Sequence, residues 1–136
     1  MTRLILVFFF LFLQINAWAS YILIPMDDTQ TNHLKAYGIA YWVLEKEQEV
    51  DWLLNYRGGS FLIKNQELIE KECRIRGVSF QIIADVQSTQ ILREIASPEV
   101  NQDVVKLEKV PKIAVYSPKS KLPWDDAVTL ALTYAE

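Results

Sequence analysis

The sequence has only one cysteine, one histidine and four glycines among its 136 residues. A single cysteine excludes an internal disulfide framework and a cysteine-rich zinc module. A single histidine leaves little material for a histidine-based metal site. Charge of one sign is also lacking: fourteen Lys and Arg face seventeen Asp and Glu, a net charge of −3. With no basic block, nothing draws the chain electrostatically to nucleic acid or to an anionic bilayer. With 51% hydrophobic and 23% charged residues, it is not a disordered tail either. The nucleotide spacings GxGxxG and GxxxxGK[ST] are missing. So is the G-x-S-x-G elbow of serine hydrolases, and no complete catalytic constellation is present.

What is present begins with one apolar run, residues 4–13 (LILVFFFLFL), after the basic Arg3. It is too short to span a hydrocarbon core, which takes about 20 residues. Polar Gln14 and Asn16 follow, then Ala17-Trp18-Ala19, the small-x-small pattern that signal peptidase accepts. Residues 1–19 therefore read as a secretory signal and residues 20–136 as the mature α/β domain, periplasmic or extracellular and free of the membrane after cleavage. Loss of Arg3 makes the mature chain one charge more negative. A lone Cys73 suits an oxidising compartment.

Within the mature chain, residues 20–26 (SYILIPM) read as a buried strand stopped by Pro25 and an acidic turn. A helix over 32–46 follows, its apolar stripe wide enough to be covered on more than one side. Residues 50–56 (VDWLLNY) read as a second strand, ended by Arg57-Gly58-Gly59-Ser60, and residues 61–63 as a short extended piece. A helix over 66–76 stops at Gly77. Residues 78–84 form a third strand, and Asp85 opens a helix through Ala96 with Ile91, Leu92 and Ile95 inward. Residues 97–111 read as a connection, 112–117 (KIAVYS) as a fourth strand, and 124–135 as a last helix with Asp125 and Asp126 at its positive end. This alternation predicts an open, mainly parallel sheet with helices on both faces, flavodoxin-like in class. A second βα half would start near 111. The last helix has no strand after it to receive its apolar face, so the domain is expected to be truncated.

In such a sheet, ligands bind beyond the carboxyl ends of the strands. Asp27 and Asp28 follow the first strand, where paired carboxylates serve a divalent cation or, more simply, a turn and helix cap. His33 opens the first helix and needs a carboxylate partner to act as a base. Arg57, Gly58, Gly59 and Ser60 form a loop whose glycines let backbone N–H groups converge on an anion, with Arg57 as a clamp; a tight turn uses the same residues. Cys73 lies mid-helix beside Ile69 and reads as a packing thiol. Trp42, Trp52 and Trp124 read as aromatic core rather than a sugar-stacking platform. These residues predict a small polar or anionic ligand, such as a sugar or carboxylate, with no metal, no cofactor and no catalytic residue in this chain.

Residues 24–44 (IPMDDTQTNHLKAYGIAYWVL), 51–61 (DWLLNYRGGSF), 111–119 (PKIAVYSPK) and 123–136 (PWDDAVTLALTYAE) resemble the N-terminal part of an exported bacterial family labelled "asparagine synthetase B". The resemblance implies a longer parent that continues into a class I glutamine-amidotransferase-like α/β region. It also implies that this missing C-terminal region is a partner of the present chain and, in the enzymatic alternative, carries the catalytic residues. The synthetase of that name uses a Cys exposed after Met1 and an SGGLDS loop. Here residue 2 is Thr and Gly58-Gly59-Ser60 is not that motif, so no catalytic residue transfers.

Overall fold

The computed structural model describes residues 20–116 and 127–136. In chain order these form β1 (Ser20–Ile24), α1 (His33–Glu45), β2 (Val50–Leu54), a 3-10 turn (Tyr56–Gly58), β3 (Ser60–Lys64) and α2 (Glu67–Arg76). Then come β4 (Gln81–Ala84), α3 (Asp85–Ile95), β5 (Asp103–Leu107) and α4 (Ala127–Ala135). One sheet runs in the order β4-β1-β3-β2-β5, and every neighbouring pair is antiparallel.

The expected mainly parallel, flavodoxin-like or amidotransferase-like sheet is therefore wrong. β1 and β2 do run the same way across α1, but β3 fills the lane between them. β3 and β4 run the same way across α2, with β1 between. Two interlocked split βαβ units of this kind make the ferredoxin-like arrangement, to which α3 and β5 are added. The cause is local. Only residues 55–59 separate β2 from β3, a hairpin length that forces antiparallel pairing, whereas a parallel neighbour needs a crossover of about a dozen residues.

Strand alternation sorts the core into two layers. Ile22, Ile24, Val50, Phe61 and Ile63 face α1 and α2, meeting Ile39, Val43, Ile69 and Cys73. Leu23, Leu53, Leu62 and Ile83 face the other way, toward Ile91, Leu92 and Ile95 of α3. The piece read as merely extended is in fact the central strand β3, whose residues 60–63 are all buried. The stretch read as a connection contains β5, set by Asp51 opposite Lys106; the Lys106 ammonium also reaches Glu49 at 2.9 Å. The strand expected over 112–117 is not formed at 112–116, and residue 117 lies outside the described residues, as do the expected signal segment 1–19 and residues 124–126 of the last helix. Among the described residues β5 is the edge strand next to β2, and the second βα half expected from near 111 runs into residues outside them.

α1 is covered twice, by the sheet and by α4. Gly38 makes the second contact, since a Cβ there would sit 1.9 Å from the Ala135 carbonyl oxygen. Asn32 donates from Nδ2 to the Tyr134 hydroxyl at 2.6 Å, and Arg76 donates to the Ala135 carbonyl at 3.3 Å. The Lys35 ammonium lies 4.9 Å from the centre of the Tyr134 ring. On propensity alone Gly38→Ala would stabilise α1 by about 1 kcal/mol. The contact with backbone reverses that sign for α4. Hydrogen exchange on Gly38→Ala is expected to show faster exchange of the α4 amides with unchanged protection in β1 and β3; protected α4 amides would disprove the contact.

Candidate functional site

The split arrangement brings the ends of β1 and β2, the starts of β3 and β4, and the N-terminus of α1 to one end of the sheet. Residues 25–32, 55–59 and 77–80 meet there. Buried Gln30 joins two of these segments: its Nε2 donates to the Pro25 carbonyl at 2.8 Å and the Ser79 carbonyl at 3.1 Å. Its Oε1 accepts the Ser79 N–H at 2.9 Å. Thr31 adds a bond to the Gly77 carbonyl at 2.6 Å. The third segment is tied by the Met26 N–H, which donates to the Arg57 carbonyl at 3.1 Å.

The turn between β2 and β3 is held in left-handed backbone at Asn55 (φ 60°), Arg57 (45°), Gly58 (80°) and Gly59 (95°). Such a conformation costs a non-glycine residue about 1 kcal/mol or more. At position 58 glycine is also required sterically, because a Cβ would lie 2.3 Å from the Met26 carbonyl oxygen. The Gly59 N–H donates to the Tyr56 carbonyl at 3.0 Å, and the Gly59 carbonyl accepts the Trp52 indole N–H at 3.1 Å. The Ser60 hydroxyl, buried, donates to the Tyr56 carbonyl at 3.0 Å. Gly58, Gly59 and Ser60 thus build the turn, and the Gly59 N–H and Ser60 hydroxyl already have partners within it.

Arg57 is different. Its backbone belongs to the turn, but its half-exposed side chain spans three segments. Nε donates to Asp27 Oδ2 at 2.6 Å, one Nη to the Thr29 hydroxyl at 3.1 Å, and the other to Gln81 Oε1 at 3.4 Å. Thr29 closes the loop, its N–H donating to Asp27 Oδ1 at 3.1 Å and its hydroxyl bonding the same oxygen. The Arg57 hydrogen bond, with the Thr29 hydroxyl second, holds the Asp27 carboxyl down at about 2. Asp28 remains exposed and makes no hydrogen bond or ion pair among the described residues. His33 approaches the cluster, but its Nε2 lies 3.2 Å from the Met26 carbonyl, not against a carboxylate. The base–carboxylate pair that His33 would need is therefore not formed. Asn32, rather than an earlier residue, caps α1 through the Lys35 N–H at 3.1 Å.

The remaining candidates are packed. Cys73 is fully buried, and burial pushes its thiol up to about 12, so almost none is thiolate at neutral pH. Trp52 stacks on Phe61 with ring centres 6.4 Å apart, Trp42 packs against the same core, and Trp124 lies outside the described residues. Among the described residues, no three His, Cys, Asp or Glu side chains gather as a metal site would. Sequence reading missed Thr29, Gln30 and Gln81 as members of the cluster. Only Thr29 carried a signal, the Asp-x-Thr spacing of a side-chain turn; Gln30 and Gln81 are recruited by tertiary contact.

Comparison with known proteins returns no match among family models, curated proteins or solved structures. None of these bears on the exported family, and the site has to be read from its own chemistry. Because its folded value lies below the usual 3.8, Asp27 stabilises the fold above about pH 4 and loses that contribution as pH falls toward about 2. Carboxyl NMR titration of Arg57→Ala is expected to return Asp27 toward 3.8; a midpoint left at about 2 would remove Arg57 as the cause.

Proposed function

We propose that this chain is an exported, noncatalytic α/β domain that binds a small polar ligand at the shared end of β1 and β2, against Asp27, Thr29, Arg57 and Gln81. One observation carries the reading. A guanidinium has five N–H donors, and Arg57 commits three of them to Asp27, Thr29 and Gln81. Among the described residues two donors remain, on a half-exposed side chain whose position is fixed by two segments besides its own turn, and fixed donors bind with less loss of freedom than mobile ones.

Charge selects between the two ligand classes that the sequence suggested. Asp27 already neutralises Arg57, and Asp28 stands next to it in the chain. An anion would meet no net positive field, whereas a neutral molecule with hydroxyl or amide groups can use the donors without electrostatic penalty. Export rests on the order of Arg3, the apolar run and Ala17-Trp18-Ala19. Cleavage after Ala19 would remove no residue of β1, which starts at Ser20.

Nitrogen-detected NMR of the arginine and glutamine side chains tests the ligand class. Titration with neutral mono- and disaccharides is expected to shift Arg57 and Gln81, and titration with mono- and dicarboxylates to shift them less. Arg57→Lys, which keeps the charge but loses the fork, is expected to weaken the response about tenfold, equivalent to about 1.4 kcal/mol. No shift with any member of either panel would overturn the proposal.

A further inference from the structure

Asn65, directly after β3, faces the first residue of β1. Its backbone N–H donates to the Ser20 carbonyl at 2.9 Å, and its side-chain Nδ2 donates to the Ser20 hydroxyl at 3.0 Å. The other end of the same amide, Oδ1, is buried and has no hydrogen-bond partner among the described residues. A buried acceptor left unpaired is costly and uncommon in a native fold, yet this one sits in a residue otherwise fully engaged with Ser20. We propose that Asn65 is the receptor for the α-ammonium group created when the chain is cut between Ala19 and Ser20, with Oδ1 accepting from it. This rests on the export reading above.

The chemistry of the cut explains why the acceptor is unpaired beforehand. In the uncut chain the Ser20 nitrogen is an amide with a single N–H. Hydrolysis of the Ala19–Ser20 peptide bond adds one water, leaving a carboxylate on Ala19 and an amine on Ser20 that takes up a proton at neutral pH. The resulting ammonium has three donors on the same Cα whose hydroxyl already contacts the Asn65 amide, and a charged donor makes a stronger bond to a carbonyl than a neutral one. Processing would then close the hydrogen-bond deficit at the start of β1, so the mature chain is more stable than one blocked at the same nitrogen.

The test compares the chain from Ser20 to Glu136 with a free amine against the same chain acetylated at Ser20. The free amine is expected to melt about 3–5 °C higher. The difference should vanish in Asn65→Ala and widen in Asn65→Asp, where a carboxylate replaces the amide oxygen. Equal melting temperatures in the unsubstituted pair, or a difference that survives in Asn65→Ala, would overturn the role of Asn65 while leaving export untouched. Mass spectrometry of the product exported from cells tests the other premise: a first residue of Ser20 is expected, and a product still starting at Met1 would overturn the processing event and the export reading with it.

Discussion

β3 is the constraint on which the remaining geometry depends. It pairs with β1 through Phe61, Leu62, Ile63 and Lys64 on one side and with β2 through residues 60–63 on the other. Phe61, Leu62 and Ile63 are each at most 2% exposed. A strand buried on both faces and paired on both edges leaves its neighbours one register. Shifting by a single residue would send Phe61 and Ile63 to the α3 side and Leu62 to the α1 side. Everything at the functional end follows from that register, because the short turn before β3 must then lie against the residues that follow β1.

The turn shows how the constraint is transmitted. Five residues must reverse the chain, bring Ser60 into the core and leave room for the Met26 carbonyl. Left-handed backbone at four of the five positions meets all three demands, and the strain at Asn55 and Arg57 is offset by what the turn holds. The Arg57 carbonyl accepts the Met26 N–H, and the Arg57 side chain reaches around the same segment to Asp27. Backbone and side chain of one residue thus fasten one loop from two directions. The ion pair itself is partly exposed, and such pairs contribute little to stability, so its importance is positional: it fixes where the guanidinium points.

Most elements were legible from pattern, and their arrangement was not. α1, α2 and α3 fall close to the ranges that apolar spacing, Gly77 and Asp85 mark, because those signals are local. Sheet order is not local. The apolar stretch Phe61-Leu62-Ile63 is too short to weigh against its neighbours, and Asp103–Leu107 (DVVKL), an edge strand of mostly exposed residues, has the pattern of a connection. Residues 112–116 (KIAVY) erred in the other direction: they have strand composition, but composition supplies no pairing edge. The site was half legible. Asp27 and Arg57 were each singled out, yet nothing in the sequence says that residues thirty positions apart meet, or that Gln81 joins them.

The helices carry a further consequence of the same architecture. Covered by the sheet alone, α1 would show a polar outer face; here Ala36, Gly38, Ile39, Ala40, Val43 and Leu44 are all buried, because α4 lies across its back. Gly38 is the residue that lets two helix backbones approach so closely, and polar contacts from Asn32, Lys35 and Arg76 fix the end of α4 at Tyr134 and Ala135. Asn32 is also the cap of α1. The same asparagine therefore starts the helix whose N-terminus borders the Asp27 cluster and anchors α4. A disturbance of α4 has a covalent route of five residues, Asn32 to Asp27, to the proposed ligand site. The wide apolar stripe of α1, which reads as a helix covered on more than one side, is thus the local trace of α4 packed outside it, and α4 is held by residues adjoining the site.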